Sequence, residues 1–97
     1  MRCIIRSVDP YHYSGFVISV KKLPIEIRAQ LKEALKNLIQ DPQPKKLKLE
    51  KLSGYKKPSI YTIHITSNHS HKMSFEIHGD VAVLRAVGTH KQIDRKP

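Results

Sequence analysis

The sequence predicts an α+β domain in which an N-terminal strand and two helices accompany an antiparallel sheet of about four strands, with the helices on one face of the sheet. Two observations carry this prediction. One segment places its apolar residues at helical spacing, and three later segments alternate apolar and polar residues as strands do. Because a chain of 97 residues suits one hydrophobic core, we expect a single domain over residues 1–97.

The first part of the chain is predicted to form a strand and two helices. Residues 2–8 are rich enough in β-branched side chains to form a strand. A helix over residues 9–23 would start with an Asp-Pro N-cap, although residues 15–20 are β-prone by composition. A second helix over residues 24–41 is predicted to end there, because the proline that follows disfavours helical geometry. Its apolar face comprises Ile27, Leu31, Ala34, Leu35 and Leu38.

A lysine-rich connector is predicted after the second helix. Residues 42–58 contain six lysines and one glutamate. Leu47, Leu49 and Leu52 are spaced to hold one side of this segment against the core while the lysines face outward. We therefore expect an anchored basic rim on the domain.

Three antiparallel strands are predicted to complete the sheet. Residues 60–66, 71–77 and 81–87 have strand character, and short polar segments between them are typical of turns. The tail, residues 91–97, is charged and is expected to fray.

The charge of the chain indicates a polyanionic partner. The formal net charge is +10 at pH 7, which favours nucleic acid first, an anionic membrane second, and an acidic protein alongside either. The longest apolar run, residues 81–84, is too short to span a bilayer, and the start of the sequence does not have the apolar stretch of a signal peptide. Cys3 is the single cysteine, so a reducing cytoplasm is the expected compartment.

Three segments resemble the RelE/ParE superfamily, which includes bacterial toxins of toxin–antitoxin pairs. Residues 48–55 (KLEKLSGY) are similar to the basic loop that ends in Leu-x-Gly before the central strand of that family. Residues 60–65 and 71–77 are similar to its paired sheet strands, and residues 81–90 end in Gly-Thr-His as in the YafQ branch. The resemblance implies a RelE/ParE-like α+β fold with a strongly curved sheet, whose concave face binds RNA.

The resemblance also implies an activity. Nuclease members of this family cleave messenger RNA, on the ribosome, and a cognate antitoxin protein neutralises them. The 2′-hydroxyl of a ribose attacks the adjacent phosphate, which leaves a cyclic phosphate and a free 5′-hydroxyl. This reaction needs a base, an acid and cations near the phosphate, and it needs no metal ion or other cofactor.

Four residues fall at the catalytic positions of the family. Glu50 stands where YoeB-like members have a glutamate and is the candidate base. His64 lies where relatives place a histidine or arginine, and would act as a base or, when protonated, as a phosphate ligand. Lys72 stands where an arginine usually holds the scissile phosphate, and a lysine supplies the charge without the bidentate fork. His90 matches the terminal histidine that relatives use as a general acid.

The remaining basic residues are expected to hold the RNA backbone through their charge. Two tyrosines, Tyr55 and Tyr61, are candidates for stacking on unpaired bases, with core packing an equal alternative for Tyr61. The backbone-binding candidates are Lys45, Lys46, Lys48, Lys51, Lys56, Lys57 and Arg85.

Several alternatives stay open at this point. Glu50 would otherwise form a surface ion pair, His64 a structural hydrogen bond, and His90 would be a surface histidine. A ParE-type inhibitor of DNA gyrase does not carry the glutamate and histidine set, and a plain RNA-binding or ribosome-associated module would bind RNA without cutting it. A metal site is disfavoured because neither cysteines nor an HxxxH helix accompany the histidines at 64, 69, 71 and 78. Thr62 departs from the family, which often has arginine there.

Overall fold

The computed structural model describes residues 5–40, 45–56 and 59–97, and these residues form five strands and three helices. The five strands form one sheet in the order β1-β5-β4-β3-β2, with β1 parallel to β5 and all other neighbours antiparallel. The α+β prediction is confirmed, with one strand more than expected. No helix within the described ranges is long and apolar enough to cross a bilayer. The elements are β1 (Ser7–Asp9), α1 (Ser14–Lys21), α2 (Ile25–Leu38), β2 (Glu50–Lys56), β3 (Ser59–His64), β4 (His71–His78), β5 (Val81–Thr89) and α3 (His90–Arg95).

The hydrophobic core lies between the sheet and the first two helices. Side chains alternate along each strand, so Ile63 of β3 and Met73 of β4 point toward α1 and α2 while their neighbours point to the opposite side, which we call the second face. Helix α2 begins after Pro24, as predicted. The buried apolar cluster on the helix side comprises Ile5, Phe16, Leu23, Leu31, Ala34, Leu38, Leu47, Ile63, Ile65, Met73, Phe75, Ala82, Leu84 and Val87.

Helix α1 starts later than the sequence predicts. The Asp9 carboxylate accepts a hydrogen bond from the backbone N–H of Tyr11 at 3.0 Å, so the Asp-Pro pair forms a local turn and the helix begins only at Ser14. Strand β1 pairs with β5 only as far as Val83. Beyond that point α1 lies beside β5, and the Ser19 hydroxyl accepts a hydrogen bond from a backbone N–H of β5 at 3.4 Å. Helix α1 thereby covers an edge that would otherwise be open.

The connector prediction was wrong in part, because residues Glu50–Lys56 form strand β2. A single 3-10 turn, Lys45–Leu47, precedes the strand, and its Leu47 is buried as expected. Glu50 pairs with Thr62 on β3, and the pairing becomes irregular near Gly54, whose φ of 87° few other residues adopt. Strand β2 is at the edge of the sheet, where lysines discourage pairing with other chains.

The tail also differs from the prediction, since it forms helix α3 instead of fraying. Thr89 and Gln92 form a capping box: the Thr89 hydroxyl accepts from the Gln92 N–H at 3.3 Å, and the Gln92 side-chain oxygen accepts from the Thr89 N–H at 2.9 Å. A Cβ on Gly88 would lie 2.6 Å from that oxygen, so a larger residue there would displace the Gln92 side chain from the capping box. Ile93 is 2% exposed, and α3 covers the β4–β5 side of the second face. The expected open RNA-binding face is thus partly occupied.

A buried carboxylate joins several elements on the second face. Glu76 is 3% exposed and accepts hydrogen bonds from the Tyr13 hydroxyl and from Arg85 Nη1, while His78 Nε2 lies 2.7 Å from its other oxygen. Burial alone would raise the pKa of Glu76, but these three hydrogen bonds outweigh burial and hold its pKa below the ordinary value. The carboxylate therefore stays ionised and ties the start of α1 to β4 and β5.

We predict that Glu76→Gln lowers the free energy of unfolding by about 3 kcal/mol at pH 7, because Arg85 loses its partner charge. The pKa of Glu76 is depressed in the fold, so its stabilisation is present above the pKa of the unfolded carboxyl and is lost as pH falls through the folded pKa. The difference in the free energy of unfolding between wild type and Glu76→Gln should therefore narrow on acidification, as measured by urea denaturation. Asp80→Asn is the control; it removes an exposed ion pair with Arg6 and should cost less than about 1 kcal/mol. If Glu76→Gln lowered the free energy of unfolding by the same amount at every pH, the prediction would be contradicted.

Candidate active site

Residues from four elements meet where β3 ends and α3 begins. His64 closes β3 and stands directly opposite Lys72 on β4, which in turn pairs with Gly88 on β5. Two residues after Gly88 the chain enters α3 at His90, whose backbone N–H donates to the Ser70 carbonyl at 2.9 Å. The ring centroids of His64 and His90 are 5.8 Å apart, with a tilt of 32° between the rings. The two imidazoles therefore form a pair at one corner of the sheet.

The environment of His64 favours its neutral form. The pKa of His64 lies below its ordinary value of 6.5, first because of burial and then because His69, Lys72 and His90 disfavour a further positive charge. Glu50 acts in the opposite direction and is the smallest of these influences. The Nδ1 atom of His64 is buried and makes no hydrogen bond within the part of the chain that the structure describes. An imidazole in this state can accept a proton at neutral pH.

Asp94 is a site residue that we did not predict from the sequence. Its carboxylate accepts a hydrogen bond from Lys72 Nζ at 2.9 Å, and its second oxygen lies 2.6 Å from His90 Nδ1. The Lys72 hydrogen bond is the main cause of a lowered pKa at Asp94, so the group is ionised. A carboxylate on Nδ1 orients the His90 ring and leaves Nε2 as the nitrogen that faces a ligand. The sequence does contain a pattern that indicates this pairing. The Thr-x-x-Gln capping box predicts a helix, and a helix places residues 90 and 94 on one face.

The other two predicted catalytic residues also lie at this corner, in different settings. Glu50 is exposed on β2 opposite Thr62, two residues before His64 on the same face of β3. Lys72 is only 4% exposed and is bound to Asp94. Contact with a phosphate, the role that the resemblance implies for Lys72, would therefore require it to exchange its partner.

Three of the predicted backbone-binding lysines are exposed, on the 3-10 turn, the residue after it and strand β2. Lys45 and Lys48 flank the buried Leu47, and Lys51 lies on β2 with its Nζ 6.0 Å from the ring centroid of Tyr61. The Tyr61 ring stacks on Phe75 at 5.9 Å, which favours core packing for this tyrosine. The side chains of Lys46, Tyr55 and Lys56, and the whole of Lys57, lie outside the described residues.

Arg85 does not join the site, contrary to the sequence-based expectation. Residue 85 lies at an irregularity in the pairing of β4 with β5, and its guanidinium binds Glu76 and the carbonyl of Pro97, at 3.3 Å for the latter. It also lies 4.9 Å from the centroid of the Tyr13 ring. Because these partners occupy it, we remove Arg85 from the set of RNA contacts.

The histidines considered for a metal site have separate partners. His64 and His69 are close, with ring centroids 4.4 Å apart, whereas His71 Nδ1 contacts the Ser70 hydroxyl at 2.8 Å and His78 contacts Glu76. Within residues 5–40, 45–56 and 59–97, no group of three or more His, Cys, Asp or Glu side chains is arranged to hold a metal ion.

We predict that the pKa of His64, followed by NMR titration of its ring protons, lies below 6.5. Replacing its neighbour in His69→Gln should raise that pKa, since one cationic neighbour is removed, but not to the ordinary value, because burial persists. His12→Gln is the matched control, since His12 is exposed and contacts Tyr13 rather than the site, and it should leave His64 unchanged. A His64 pKa at or above 6.5 in the wild-type protein would show that the ring is not held neutral.

Comparison with known proteins identifies the fold. No protein-family model and no curated protein sequence matches the chain. Solved structures do match: a chain of the RelB–RelE antitoxin–toxin complex from Methanococcus jannaschii is 28% identical with a TM-score of 0.61, and the match covers 88% of this chain and 98% of that one. A chain of the archaeal RelE–RelB complex from Pyrococcus horikoshii is 15% identical, also with a TM-score of 0.61, over 92% and 96% of the two chains.

A third structure, a copper-bound mutant toxin from Helicobacter pylori, is 15% identical with a TM-score of 0.56, over 96% of this chain and 99% of that one. The two structures at 15% identity share the fold alone. The shared fold, together with 28% identity to the Methanococcus chain over nearly its whole length, supports a relationship to the RelE toxins.

Proposed function

We propose that this protein is a RelE-type toxin that cuts messenger RNA by a metal-independent reaction and is neutralised by an antitoxin protein. One observation carries the proposal: two imidazoles stand 5.8 Å apart, one held neutral by burial and the other held by a carboxylate. A neutral and a carboxylate-bound histidine are suited to remove one proton and to donate another during the cleavage of one phosphodiester.

His64 is our choice for the base. The sequence pattern favoured Glu50, but Glu50 is exposed on the edge strand, whereas His64 is partly buried with a lowered pKa. A base must be unprotonated at working pH, and the lowered pKa of His64 favours that condition. In the proposed reaction His64 takes the proton of the 2′-hydroxyl as its oxygen attacks phosphorus.

His90 supplies the acid, and Lys72 supplies the charge. Protonated His90, oriented by Asp94, gives its proton to the departing 5′-oxygen. The extra negative charge on the phosphate competes with the Asp94 carboxylate for Lys72 Nζ, so that the cation acts most strongly when charge develops on phosphorus. The chain's own residues thus supply base, acid and cation.

The charge distribution supports RNA and an acidic protein as partners. The net charge of +10 and the exposed lysines on and before β2 favour binding to RNA, and we propose messenger RNA on the ribosome, in the cytoplasm, as the target. A cavity of about 690 Å³ lies between the end of α1 and α3, and none of its described lining residues is Asp or Glu. Since the RelE structures above are antitoxin–toxin complexes, we propose that an acidic antitoxin segment binds there. The cations that line this cavity are Lys22, Lys91, Arg95 and Lys96.

We predict that His64→Ala and His90→Ala each lower the cleavage rate by about 10²–10⁴, the usual contribution of general acid–base catalysis. The assay maps messenger RNA ends after brief expression and identifies a cyclic phosphate on the upstream product. The exposed histidine of His12→Ala serves as the control, and its cuts should match those of wild type. Cuts that persist in both site variants would contradict the mechanism. Growth arrest with inhibited gyrase and intact RNA would instead favour the ParE-type function, and RNA binding without product would favour a binding module.

We further predict that Asp94→Asn separates binding from catalysis. Loss of the carboxylate frees Lys72 and should tighten RNA binding, while the unoriented His90 ring should lower kcat by about 10²-fold. Kd comes from fluorescence anisotropy with a non-cleavable 2′-O-methyl RNA, and kcat from single-turnover cleavage. Asp80→Asn makes the same change in net charge away from the site and should leave kcat unaltered. An unaltered kcat in Asp94→Asn would remove this residue from the mechanism.

A further inference from the structure

A cavity of about 440 Å³ opens beside His64, on the side away from His90's helix. Its volume falls within the range of roughly 300–1,000 Å³ that is usual for small-molecule sites. The later turns of α2 form one wall. The end of β3, the β3–β4 turn and the end of the 3-10 turn that precedes β2 form the other. The cleavage steps above use only His64 from its lining, which comprises Gln30, Glu33, Ala34, Asn37, Leu47, Lys48, His64, Ile65, Thr66, Ser67 and His69.

Polar groups with defined hydrogen-bonding capacity face this cavity from α2. Gln30, Glu33 and Asn37 follow one another at steps of three and four and so lie on one face of the helix. Asn37 is 7% exposed, and its side-chain amide forms no hydrogen bond with any other residue in the described ranges. This amide offers both donors and acceptors to a ligand in the cavity. Glu33 adds a group that, when ionised, only accepts.

The opposite wall carries an exposed imidazole ring and two residues with a left-handed backbone conformation. His69 lies 4.4 Å from His64, ring to ring, and is itself exposed. Lys48 and His69 have φ angles of 53° and 59°, in the left-handed region that residues other than glycine rarely adopt. They are the two non-glycine residues with positive φ in the part of the chain the structure describes, and both line this one cavity. Backbone strain of this kind concentrates at ligand sites.

We propose that this cavity binds a nucleobase, namely that of the nucleotide whose 2′-hydroxyl attacks. The inference rests on the proposed function. If His64 is the general base, it must stand at that hydroxyl, and the nucleobase of the same nucleotide is then nearest to the cavity. Leu47, Ala34 and Ile65 provide apolar walls for its flat faces, and the His69 ring provides a surface for stacking.

The polar edge of the cavity defines which base it prefers. An ionised Glu33 accepts hydrogen bonds and repels carbonyl oxygens, so it selects bases with an exocyclic amino group. Asn37 can both donate and accept, and it adapts to the ring atom beside that amino group. Adenine, guanine and cytosine carry such an amino group and uracil does not. The cavity should therefore discriminate against uracil.

The test measures binding of the four nucleoside 3′-monophosphates, which place a phosphate at the histidine pair and a base beside it and have no bond left to cut. Isothermal titration should show adenosine, guanosine and cytidine 3′-monophosphates binding about tenfold more tightly than the uridine compound, the value of one good pair of base contacts. Glu33→Gln should remove most of that preference, and because Glu33 is exposed the variant keeps the fold. Glu26→Gln makes the same charge change in the first turn of α2, outside the cavity lining, and should keep the preference.

NMR supplies a second measurement that does not depend on any variant. In wild-type protein, adenosine 3′-monophosphate should shift the side-chain amide resonances of Asn37 and the ring protons of His69, whereas inorganic phosphate should shift those of His64 and His90 alone. Equal affinity for all four nucleotides, or Asn37 resonances that do not move, would overturn the inference.

The two proposals fail in different ways. Base preference in binding, without cleavage of any RNA by wild-type protein, would leave the nucleobase site supported and the nuclease function refuted. Cleavage that His90→Ala abolishes, with equal binding of the four nucleotides, would leave the nuclease supported and the nucleobase site refuted.

Discussion

The ion pair between Asp94 and Lys72 is the interaction on which the site depends. Lys72 is buried on the second face, and a buried ammonium without a partner would be costly. Asp94 provides that partner from α3, and its other oxygen holds His90. One carboxylate thus neutralises a buried cation, attaches a helix to the sheet and brings the second imidazole to the first.

The same cation also affects the neighbouring strand. Lys72 stands opposite His64 and contributes to its lowered pKa, so the charge that anchors α3 also helps to keep the proposed base neutral. A phosphate that drew Lys72 away from Asp94 would change both the attachment of α3 and the pKa of His64. Substitutions of Lys72 would consequently mix effects on folding, on the His64 pKa and on phosphate binding.

Local patterns in the sequence predicted the parts of the fold whose structure is decided locally. Helix α2 and strands β3–β5 follow from apolar periodicity. Strand β2 was not predicted, because its lysines have low strand propensity and its pairing is decided by the neighbouring strand β3. Helix α3 was missed although its capping box is legible, and without α3 there was no reason to connect Asp94 with His90. Arg85 was misplaced because an irregularity in β5 cannot be inferred from alternation.

The pairing of β1 with β5 has a consequence for folding. Ser7 and Val81 are partners in parallel strands although they are separated by most of the sequence, and β5 also supports α1 and α3. Contacts between distant segments form slowly, because a long loop must close before they contribute any stabilisation. Strand β5 must therefore be in place before the site can assemble, and a newly made molecule should acquire its complete histidine pair only at a late stage of folding.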